Sequence, residues 1–491
     1  MSNLRRTDIR FVLPSPVRRA LVLGGDGGWA EALQAAGIAV SMQGQNGAGA
    51  PDLTVAPPAM ARAAAATGAP AVLLDGPGGG AALRRAGYAV RRYLALPRRT
   101  APDVLLPLGD GAALRAVFGD FRPAESAVHA LRNRAVRVLA ARDVLPDAAR
   151  VQTVGLRVDG PPAALTAAGG VVAGLDPNAS WFLSLGGGDR LSRAVFHCMP
   201  RGTRRASHVV KFARVAGYVA PFEREQRVFD VLQRSPASVQ AHAPRLLARA
   251  QADGLELSVE SAAAGRTLAV QLCRASRREG RALVDTVAQW ILDVARDSAA
   301  PPPALQPELA RLGDEVLPAW REQGADAALL DSLPPLPAVL QHNDLGTWNV
   351  IGDGGTAGFT AIDWESAREH GLPVWDLLYF LVDALARLDG ATTPDQRAAH
   401  APRLLRGELP SSAHLFHWVR RGAEASGVPA QSVGAVATLC WLSHGLSHRL
   451  RWQAGDAAGA GGSQWVPPVE RLAPVWLADP VLGPGWDRWR A

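Results

Sequence analysis

Apolar and polar residues alternate in short blocks between residues 19 and 95, and each block has the length of one strand or one helix. Apolar runs such as RALVLGG, DLTVAPP and PAVLLDG are separated by amphipathic stretches such as WAEALQAAG and GAALRRAG. Strands that alternate with helices are typical of α/β folds, in which the sheet is largely parallel. The pattern predicts a small α/β domain over residues 1–110.

The pattern changes after residue 110. The first part of the segment 111–175 is periodic in the helical sense, and its later part is rich in Gly, Pro and Ala. Such composition is typical of a boundary or an irregular lead-in, so we expect a helical connection over 111–175.

A third pattern of apolar and polar residues begins at Ser180. The runs WFLSLGGG, RAVFHCMPRG and SHVVKFARV predict three consecutive strands, followed by a helix and by further strands near 245–260. Beyond Thr267 the chain is mainly helical, apart from one strand-like stretch at 338–364. We therefore expect a strand-rich segment over 176–262 and a mostly helical one over 263–491.

Composition excludes several classes of protein. The chain has 491 residues, a net charge of +7 and three cysteines without CxxC spacing, so neither a zinc site nor a disulfide framework is indicated. Its arginines are scattered and are not interleaved with aromatic residues, which argues against a nucleic-acid partner. No apolar run reaches the roughly 18 residues of a membrane span. We expect a cytoplasmic protein with no membrane partner.

Lysine is almost absent from this basic chain. Of the 52 arginine and lysine residues, only Lys211 is a lysine, and it lies in the strand-like run HVVKFA. A compact ammonium and a planar guanidinium are not interchangeable where space is restricted, so a specific role for Lys211 is one interpretation. A chance remnant at the edge of a strand explains the residue equally well when it is considered alone.

The run LQHNDLGTWNV places Asp344 and Asn349 in a loop after a short apolar strand. Asp363 ends a second short strand in TAIDWE, and the turn residues GDGG between the two strands predict a hairpin. Such a hairpin would bring Asn349 and Asp363 together at its open end, with Asp344 on the same side.

These residue types match the needs of phosphoryl transfer. Mg²⁺ prefers oxygen ligands, and an amide oxygen with a carboxylate leaves room for nucleotide phosphates. A separate carboxylate accepts the proton of the attacking hydroxyl, and a cation offsets the charge on the transferred group. We predict Asp344 as the base, Asn349 and Asp363 as magnesium ligands, and Lys211 as the phosphate-binding cation.

The motif HNDLGTWN followed by IDWE resembles the HGDxxxxN and IDWE motifs of the aminoglycoside phosphotransferase and choline kinase family, which is related to protein kinases. The resemblance extends over roughly residues 175–450. It implies an α+β, two-lobed, protein-kinase-like fold with nucleotide between the lobes, and it implies ATP and Mg as cofactors. The small α/β, Rossmann-like domain would precede this fold.

The resemblance also implies further nucleotide-binding positions. Glu225, on the helix after the lysine strand, would pair with Lys211, although Glu223 is a rival. Ser261 would lie where the chain enters the interlobe hinge. The loop that covers the phosphates would contain Gly186, Gly187 and Gly188.

Four positions around the catalytic motif are expected to act on loop geometry. By the same resemblance, Asp376 would brace the catalytic loop, and His342 would be a buried scaffold residue. Asn343 stands where the family has glycine, and Trp364 follows the metal aspartate. Neither departure removes a catalytic oxygen, but both leave substrate preference open.

The predicted activity is transfer of the ATP γ-phosphate to a hydroxyl of a small molecule. A Ser or Thr kinase acting on a peptide precursor is one alternative, and a catalytically silent nucleotide-binding module is another. The run LVLGGDGGWA also resembles the first strand and Gly-rich turn of nucleotide- or S-adenosylmethionine-binding folds. The second strand, IAVSMQGQ, lacks the carboxylate that holds ribose, so a scaffolding domain is favoured over a methyltransferase.

Overall fold

The structure is a computed structural model of the chain. It divides into two compact units, which are described separately below. Unit 1 comprises Met1–Phe222, Arg245–Ala262 and Ala454–Gly461, and unit 2 comprises Glu223–Pro244, Ala263–Gln453 and Gly462–Ala491. The structure describes residues 4–24, 27–44, 49–122, 127–145, 150–186, 192–203, 205–353, 358–456 and 468–490.

The strands of the described residues are short, as the apolar runs predict. They are β1 (Arg19–Val22), β2 (Ala39–Met42), β3 (Leu53–Ala56), β4 (Ala71–Leu74), β5 (Ala89–Leu96), β6 (Val104–Pro107), β7 (Val151–Leu156), β8 (Ser180–Ser184), β9 (Ala194–Met199), β10 (His208–Phe212), β11 (Leu246–Ala252), β12 (Leu255–Ser261), β13 (Arg266–Thr267), β14 (Val339–Gln341), β15 (Val350–Gly352), β16 (Phe359–Ala361) and β17 (Arg368–Gly371).

The longer helices lie towards the C-terminal end of the chain. The helices are α1 (Gly27–Ala35), α2 (Ala61–Ala66), α3 (Gly80–Arg85), α4 (Gly111–Ala116), α5 (Ala127–Ala141), α6 (Ala163–Val171), α7 (Ala220–Arg234), α8 (Ala237–Gln240), α9 (Leu268–Leu272), α10 (Arg277–Asp297), α11 (Gln306–Arg311), α12 (Leu317–Ala319), α13 (Ala328–Asp331), α14 (Trp375–Leu388), α15 (Pro394–Arg406), α16 (Ser412–Ala425), α17 (Val433–Asp456) and α18 (Pro468–Ala478).

The first four strands of unit 1 form the parallel part of its sheet. They are ordered β2-β1-β3-β4, and all three pairings are parallel. Strand β3 and strand β4 are buried along their whole length, as expected where both faces of a parallel sheet are covered. The predicted α/β pattern is therefore confirmed here, while the Rossmann-like or methyltransferase-like resemblance stays a prediction.

The same sheet continues through antiparallel strands into the lysine-bearing region. Its twelve strands are ordered β11-β12-β10-β9-β8-β6-β5-β7-β4-β3-β1-β2. The junction is the antiparallel pair β6–β8, in which Leu105 lies opposite Leu183 and both side chains are buried. The segments that we predicted as 1–110 and 176–262 therefore share one sheet, and their independent folding stays a prediction.

The segment expected as an irregular lead-in contains regular structure. That segment, residues 155–180, includes the last two residues of strand β7 and the Ala-rich helix α6, whose Leu165 and Ala168 are buried. Alanine has the highest helix propensity, which outweighs the two glycines near the end of α6. The expectation of irregular structure was wrong over this helix.

A 3₁₀ segment at Leu4–Val12 anchors the N-terminal end of the chain to the end of β10. Asp8 forms an ion pair with Arg214 at 2.7 Å, and neither side chain is exposed. Arg10 donates to the Arg214 carbonyl, and burial lowers the pKa of Arg10 to about 10. Removing one partner of such a buried pair costs about 3–5 kcal/mol, so this segment is part of the unit 1 core.

Unit 2 is mainly helical and contains two small antiparallel sheets, β13-β15-β16 and β14-β17. Helix α10 begins with a capping box, in which Ser276 accepts from the Glu279 backbone N–H and the Glu279 carboxylate accepts from the Ser276 N–H. Together the two units make an α+β protein, as predicted. Within the described residues, we find no helix that combines the length and the apolarity needed to cross a bilayer.

Candidate active site

Lys211 lies on β10, which is flanked by β9 and β12 in the interior of the unit 1 sheet. Its ammonium nitrogen is 2.7 Å from Oε1 of Glu260, and the two side chains are only 8% and 4% exposed. Val209 lies opposite Glu260, and Lys211 lies opposite Ser258. The ion pair is therefore a diagonal contact between neighbouring strands on one face of the sheet.

Glu260 was missed by the sequence reasoning, which assigned the lysine partner to Glu225. Glu225 is buried on α7, in unit 2, and its pairing with Lys211 stays a prediction, as does the rival Glu223. A signal for Glu260 was present in the run LELSVES. Its polar residues alternate with apolar ones, and Glu256, Ser258 and Glu260 are all buried.

A neutral histidine lies close to the lysine. Burial, and then the Lys211 charge, lowers the pKa of His197 on β9 to about 4. The imidazole stacks on Phe182 with ring centroids 4.3 Å apart, and its Nε2 lies 3.1 Å from the Ser184 hydroxyl. The lysine therefore has a polar but uncharged neighbour at neutral pH.

The other predicted nucleotide positions of unit 1 are only partly described. Gly186 follows β8, where a Cβ would lie 3.2 Å from Ser192 Cβ, so a larger residue would be tight. Gly187 and Gly188 lie outside the described residues. The Ser261 hydroxyl accepts from the Arg245 backbone N–H at 2.8 Å, so in this structure it fastens β12 to β11. A nucleotide-binding role for these positions stays a prediction.

In unit 2, one face of helix α14 supports the predicted catalytic loop. Asp376, Tyr379 and Asp383 are spaced by three and four residues, which places them on the same side of the helix. Each of the three contacts a different part of the loop between β14 and β15. The loop is thus held at three points along one rigid element.

The first support is Asp376, at the start of α14. Its carboxylate accepts the backbone N–H of His342 at 2.6 Å and that of Asn343 at 2.9 Å, which confirms its predicted role as a brace. Burial raises the pKa of Asp376 to about 6, although both backbone hydrogen bonds act in the opposite direction.

Asn343 has a left-handed backbone, with φ of 62°. Glycine adopts this conformation without strain, and asparagine tolerates it better than most residues. The Asn343 amide also donates to the Ser366 carbonyl at 3.2 Å. Asn343 therefore adopts a backbone conformation that glycine also allows, while the question of substrate preference stays open.

Both carboxylate oxygens of Asp344 are oriented by fixed donors. The Asn349 amide nitrogen is 3.1 Å from Oδ2 and 2.8 Å from the Asp344 carbonyl oxygen. The Tyr379 hydroxyl is 3.3 Å from Oδ1. Burial, and then the Asp344 charge, raises the pKa of Tyr379 well above its usual value, so the phenol stays protonated and donates.

Strands β15 and β16 form the predicted hairpin, with Val350 opposite Ala361. The Ile362 N–H donates to the Asn349 carbonyl at 2.8 Å, so pairing continues to the residue before Asp363. Asp363 itself is left-handed, with φ of 67°. The hairpin thus brings Asn349 and Asp363 to the same open end, as the sequence predicted.

The oxygen atoms at the open end of the hairpin fit a magnesium ion that takes its remaining ligands from a nucleotide. The Asn349 amide nitrogen is occupied by Asp344, so its oxygen is the atom left for a cation. Among the described residues, no group of three or more His, Cys, Asp or Glu side chains could hold a metal alone. Mg²⁺ typically takes one or two carboxylates and completes its shell with water and phosphate oxygens.

His342 and Trp364 form an apolar support beneath the loop. His342 is buried, its Nε2 donates to the Ile362 carbonyl at 2.8 Å, and its ring lies 4.5 Å from the Trp364 ring. The predicted scaffold role of His342 agrees with these contacts. Trp364 is buried and donates to the Ala361 carbonyl, so it fixes the hairpin end from inside.

The sequence analysis assigned no role to two aromatic residues beside the loop, Tyr379 and Trp348. Tyr379 stacks on His444 at 4.0 Å, and the Nε2 of His444 accepts from Trp375, which makes that imidazole neutral with its proton on Nδ1. Trp348 lies edge-on to Tyr379 and is 37% exposed, whereas the other tryptophans whose burial is described are all buried. The polar spacing along α14 was the available signal for Tyr379.

Part of the chain is similar to known proteins. Residues 190–418 match the model of the phosphotransferase enzyme family, APH. A crystallised kinase domain is 11% identical, covering 52% of this chain and 77% of its own, with a TM-score of 0.29. An aminoglycoside-3′-phosphotransferase of type VIII is 20% identical, covering 47% and 82%, with a TM-score of 0.26. These two similarities are too distant to support a functional conclusion, and no curated protein matches the chain.

Proposed function

We propose that this protein is a Mg-dependent phosphotransferase that moves the γ-phosphate of ATP to a hydroxyl group of a small molecule. The observation that supports it most is the position of Asp344, whose two carboxylate oxygens are oriented by Asn349 and Tyr379. The match of residues 190–418 to a phosphotransferase family points to the same chemistry.

In this proposal Asp344 accepts the proton of the acceptor hydroxyl, while the oxygen of that hydroxyl attacks the γ-phosphorus. A new oxygen–phosphorus bond forms, and the bond to the oxygen that leaves with ADP breaks. Asn349 and Asp363 would hold Mg²⁺, which neutralises phosphate charge when bound. Lys211 would bind phosphate oxygens as a compact point charge.

An exposed indole beside the base favours an acceptor with a ring. Trp348 is 37% exposed and lies edge-on to Tyr379, which donates to Asp344, so part of its indole is left for a ligand near the base to bury. Contact with a sugar, cyclitol or aromatic ring would provide that burial. This feature favours a small ring-bearing alcohol over the alternative, a Ser or Thr of a peptide.

The test is a screen of the purified 491-residue chain for ADP release stimulated by an acceptor. The panel contains sugars, cyclitols, amino alcohols, nucleosides and Ser/Thr peptides, each with Mg·ATP. Asp344→Asn serves as the blank, because it keeps the side-chain volume and removes the base. Stimulation by a small alcohol in the parent and not in the variant supports the proposal.

Two other results would replace it. Stimulation by peptides alone would make the chain a peptide kinase. Magnesium-dependent nucleotide binding without turnover on any acceptor, in the parent as in Asp344→Asn, would make it a silent nucleotide-binding module.

A further inference from the structure

The exposed apolar side chains of the protein are concentrated in one short segment. Twelve large apolar side chains are exposed among the described residues, and half of them fall between residues 121 and 144. Contiguous exposed apolar patches mark binding sites for proteins or membranes, whereas scattered ones need no explanation. The six are Phe121, Val128, Leu131, Val138, Leu139 and Val144.

Four of the six lie on helix α5, and they share one side of it. Val128, Leu131 and Val138 are separated by three and seven residues, and the exposed Ala135 fills the position between the last two. This spacing places Val128, Leu131, Ala135 and Val138 on a single stripe, and Leu139 lies on the same side of the helix. Val128 and Leu131 are 76% and 71% exposed, so the stripe is open to solvent and not covered by the rest of unit 1.

The opposite side of the helix attaches α5 to the protein. Ala140 is buried, and Val136 packs partly against the same small apolar cluster, which also contains Leu114 and Val117. Ala140 is the fully buried residue among those of α5 whose burial is described. The helix is thus a ridge that is held along one edge and presents a convex apolar surface.

The charged residues of α5 that carry a full charge at neutral pH are all arginines. Arg132 and Arg134 flank the stripe, and Arg137 lies further round the helix. Beyond the helix, Arg142 is followed by Asp143, which pairs with Arg92. The segment Ala127–Ala141 contains no Asp or Glu, although the whole chain has 45 acidic residues. The occupant of this ridge must therefore be apolar in the middle and anionic at its edges.

These properties select among the possible occupants. A second copy of the chain, packed ridge to ridge, would bring two sets of arginines together without a compensating carboxylate. A protein partner would have to supply a concave groove with an acidic rim. A bilayer with anionic lipids deforms around a convex ridge and places phosphates beside flanking arginines.

We infer that α5 is a peripheral membrane-binding helix, whose stripe Val128–Leu131–Ala135–Val138 enters the headgroup boundary of an anionic lipid surface. Arg132 and Arg134 would extend along the stripe to the lipid phosphates. We expected no membrane partner because no segment can span a bilayer, but a helix that lies in the interface needs no such segment. The inference does not depend on the proposed phosphotransferase activity.

The experiment is vesicle flotation of the 491-residue chain. Vesicles contain phosphatidylcholine alone or with about one third phosphatidylglycerol. The variants are Val128→Asp/Leu131→Asp, which breaks the stripe, and Arg132→Gln/Arg134→Gln, which removes two flanking charges. The matched control is Val158→Asp, because Val158 is 73% exposed but lies outside α5.

We expect the parent and Val158→Asp to float with anionic vesicles and not with phosphatidylcholine alone. Each double variant should lower the lipid partition coefficient by about tenfold or more. Salt at about 0.5 M should lower it for the parent as well. Because the substituted side chains are exposed, all variants should keep the parental melting temperature, which separates loss of binding from loss of fold.

Several outcomes would overturn the inference. The parent could fail to float with anionic vesicles, or Val128→Asp/Leu131→Asp could float as the parent does. If the parent does not float with vesicles but binds a synthetic acidic amphipathic helix through the same stripe, the partner of the stripe is a protein. If light scattering shows a dimer that the stripe variant dissociates, the occupant is a second copy.

Discussion

The surroundings of Lys211 in unit 1 and of Asp344 in unit 2 are built in different ways. In unit 1, the ammonium of Lys211 on an interior strand forms an ion pair with the Glu260 carboxylate on the neighbouring strand. In unit 2, the catalytic loop is held by a web of hydrogen bonds from one helix face, through Asp376, Tyr379 and Asp383.

This difference indicates how each region should respond to amino-acid substitution. A buried ion pair depends on the size and shape of two side chains, so it tolerates little substitution at Lys211. A loop that is supported at three points loses geometry gradually when one support is removed. Substitutions in the two units should therefore affect turnover, nucleotide binding and stability in different proportions.

The largest effect is expected at the hairpin end. Asp363→Ala should abolish turnover and should weaken the affinity for Mg·ATP more than the affinity for metal-free ATP, because a charged ligand is lost. Asn349→Ala removes a neutral oxygen and the donor to Asp344, so its effect on Mg·ATP affinity should be milder. Calorimetric titration with and without magnesium measures both. Parental Mg·ATP affinity in either variant would contradict the metal assignment.

The substitution Lys211→Arg tests the ion pair of unit 1. The longer, planar guanidinium keeps the charge beside Glu260 but not its position, so turnover should fall by about tenfold or more. The melting temperature should change little. The matched control is Arg249→Lys, because Arg249 pairs with buried Glu256 in the same sheet at 3.1 Å. A fully active Lys211→Arg enzyme would remove this lysine from the mechanism.

A smaller effect is expected from Tyr379→Phe, which deletes one donor to Asp344 and keeps the aromatic packing. Turnover should fall by about three- to tenfold while KM for both substrates stays near the parental value. Burial keeps Tyr379 protonated throughout the working range, so the loss should be equal at every pH from neutrality upward. A change confined to KM, or a loss that disappears at one end of that range, would argue against this positioning role.

The smallest effect is a pH dependence from Asp376, whose pKa is raised to about 6 by burial. Above that pH the carboxylate is ionised and accepts both loop N–H groups; below it, a proton occupies one acceptor oxygen. Turnover should therefore decline as pH falls through about 6. The folded state binds this proton more tightly than the unfolded chain, so the contribution of this group to stability decreases as pH rises from about 4 to 6. A turnover profile that is flat down to pH about 5 would contradict the assignment.

Much of this architecture follows from local sequence pattern. Alternating apolar runs located many strands of both units, although β7 lies where we expected helical and irregular structure. The turn residues between Val350 and Ala361 predicted the hairpin that carries Asn349 and Asp363. The spacing of Asp344 and Asn349 placed both in one loop, and the structure shows their side chains in contact.

What escaped prediction depends on contacts between residues that are distant in sequence. Glu260 is paired with Lys211 by strand register, and Tyr379 reaches Asp344 only through the packing of α14. The joining of β6 to β8 makes one sheet from two predicted segments, and nothing local in either strand specifies its neighbour. Sequence pattern predicts secondary-structure elements and loops, whereas tertiary packing determines which of them are in contact.

The central claim is that Asp344 is the base for hydroxyl phosphorylation, and turnover of Asp344→Asn tests it most directly. The substitution keeps the shape of the side chain, so Mg·ATP affinity and melting temperature should stay near the parental values. Turnover with the acceptor found by the screen should fall by about a hundredfold or more. Turnover within about twofold of the parent, in a variant that folds and binds Mg·ATP normally, would contradict the account.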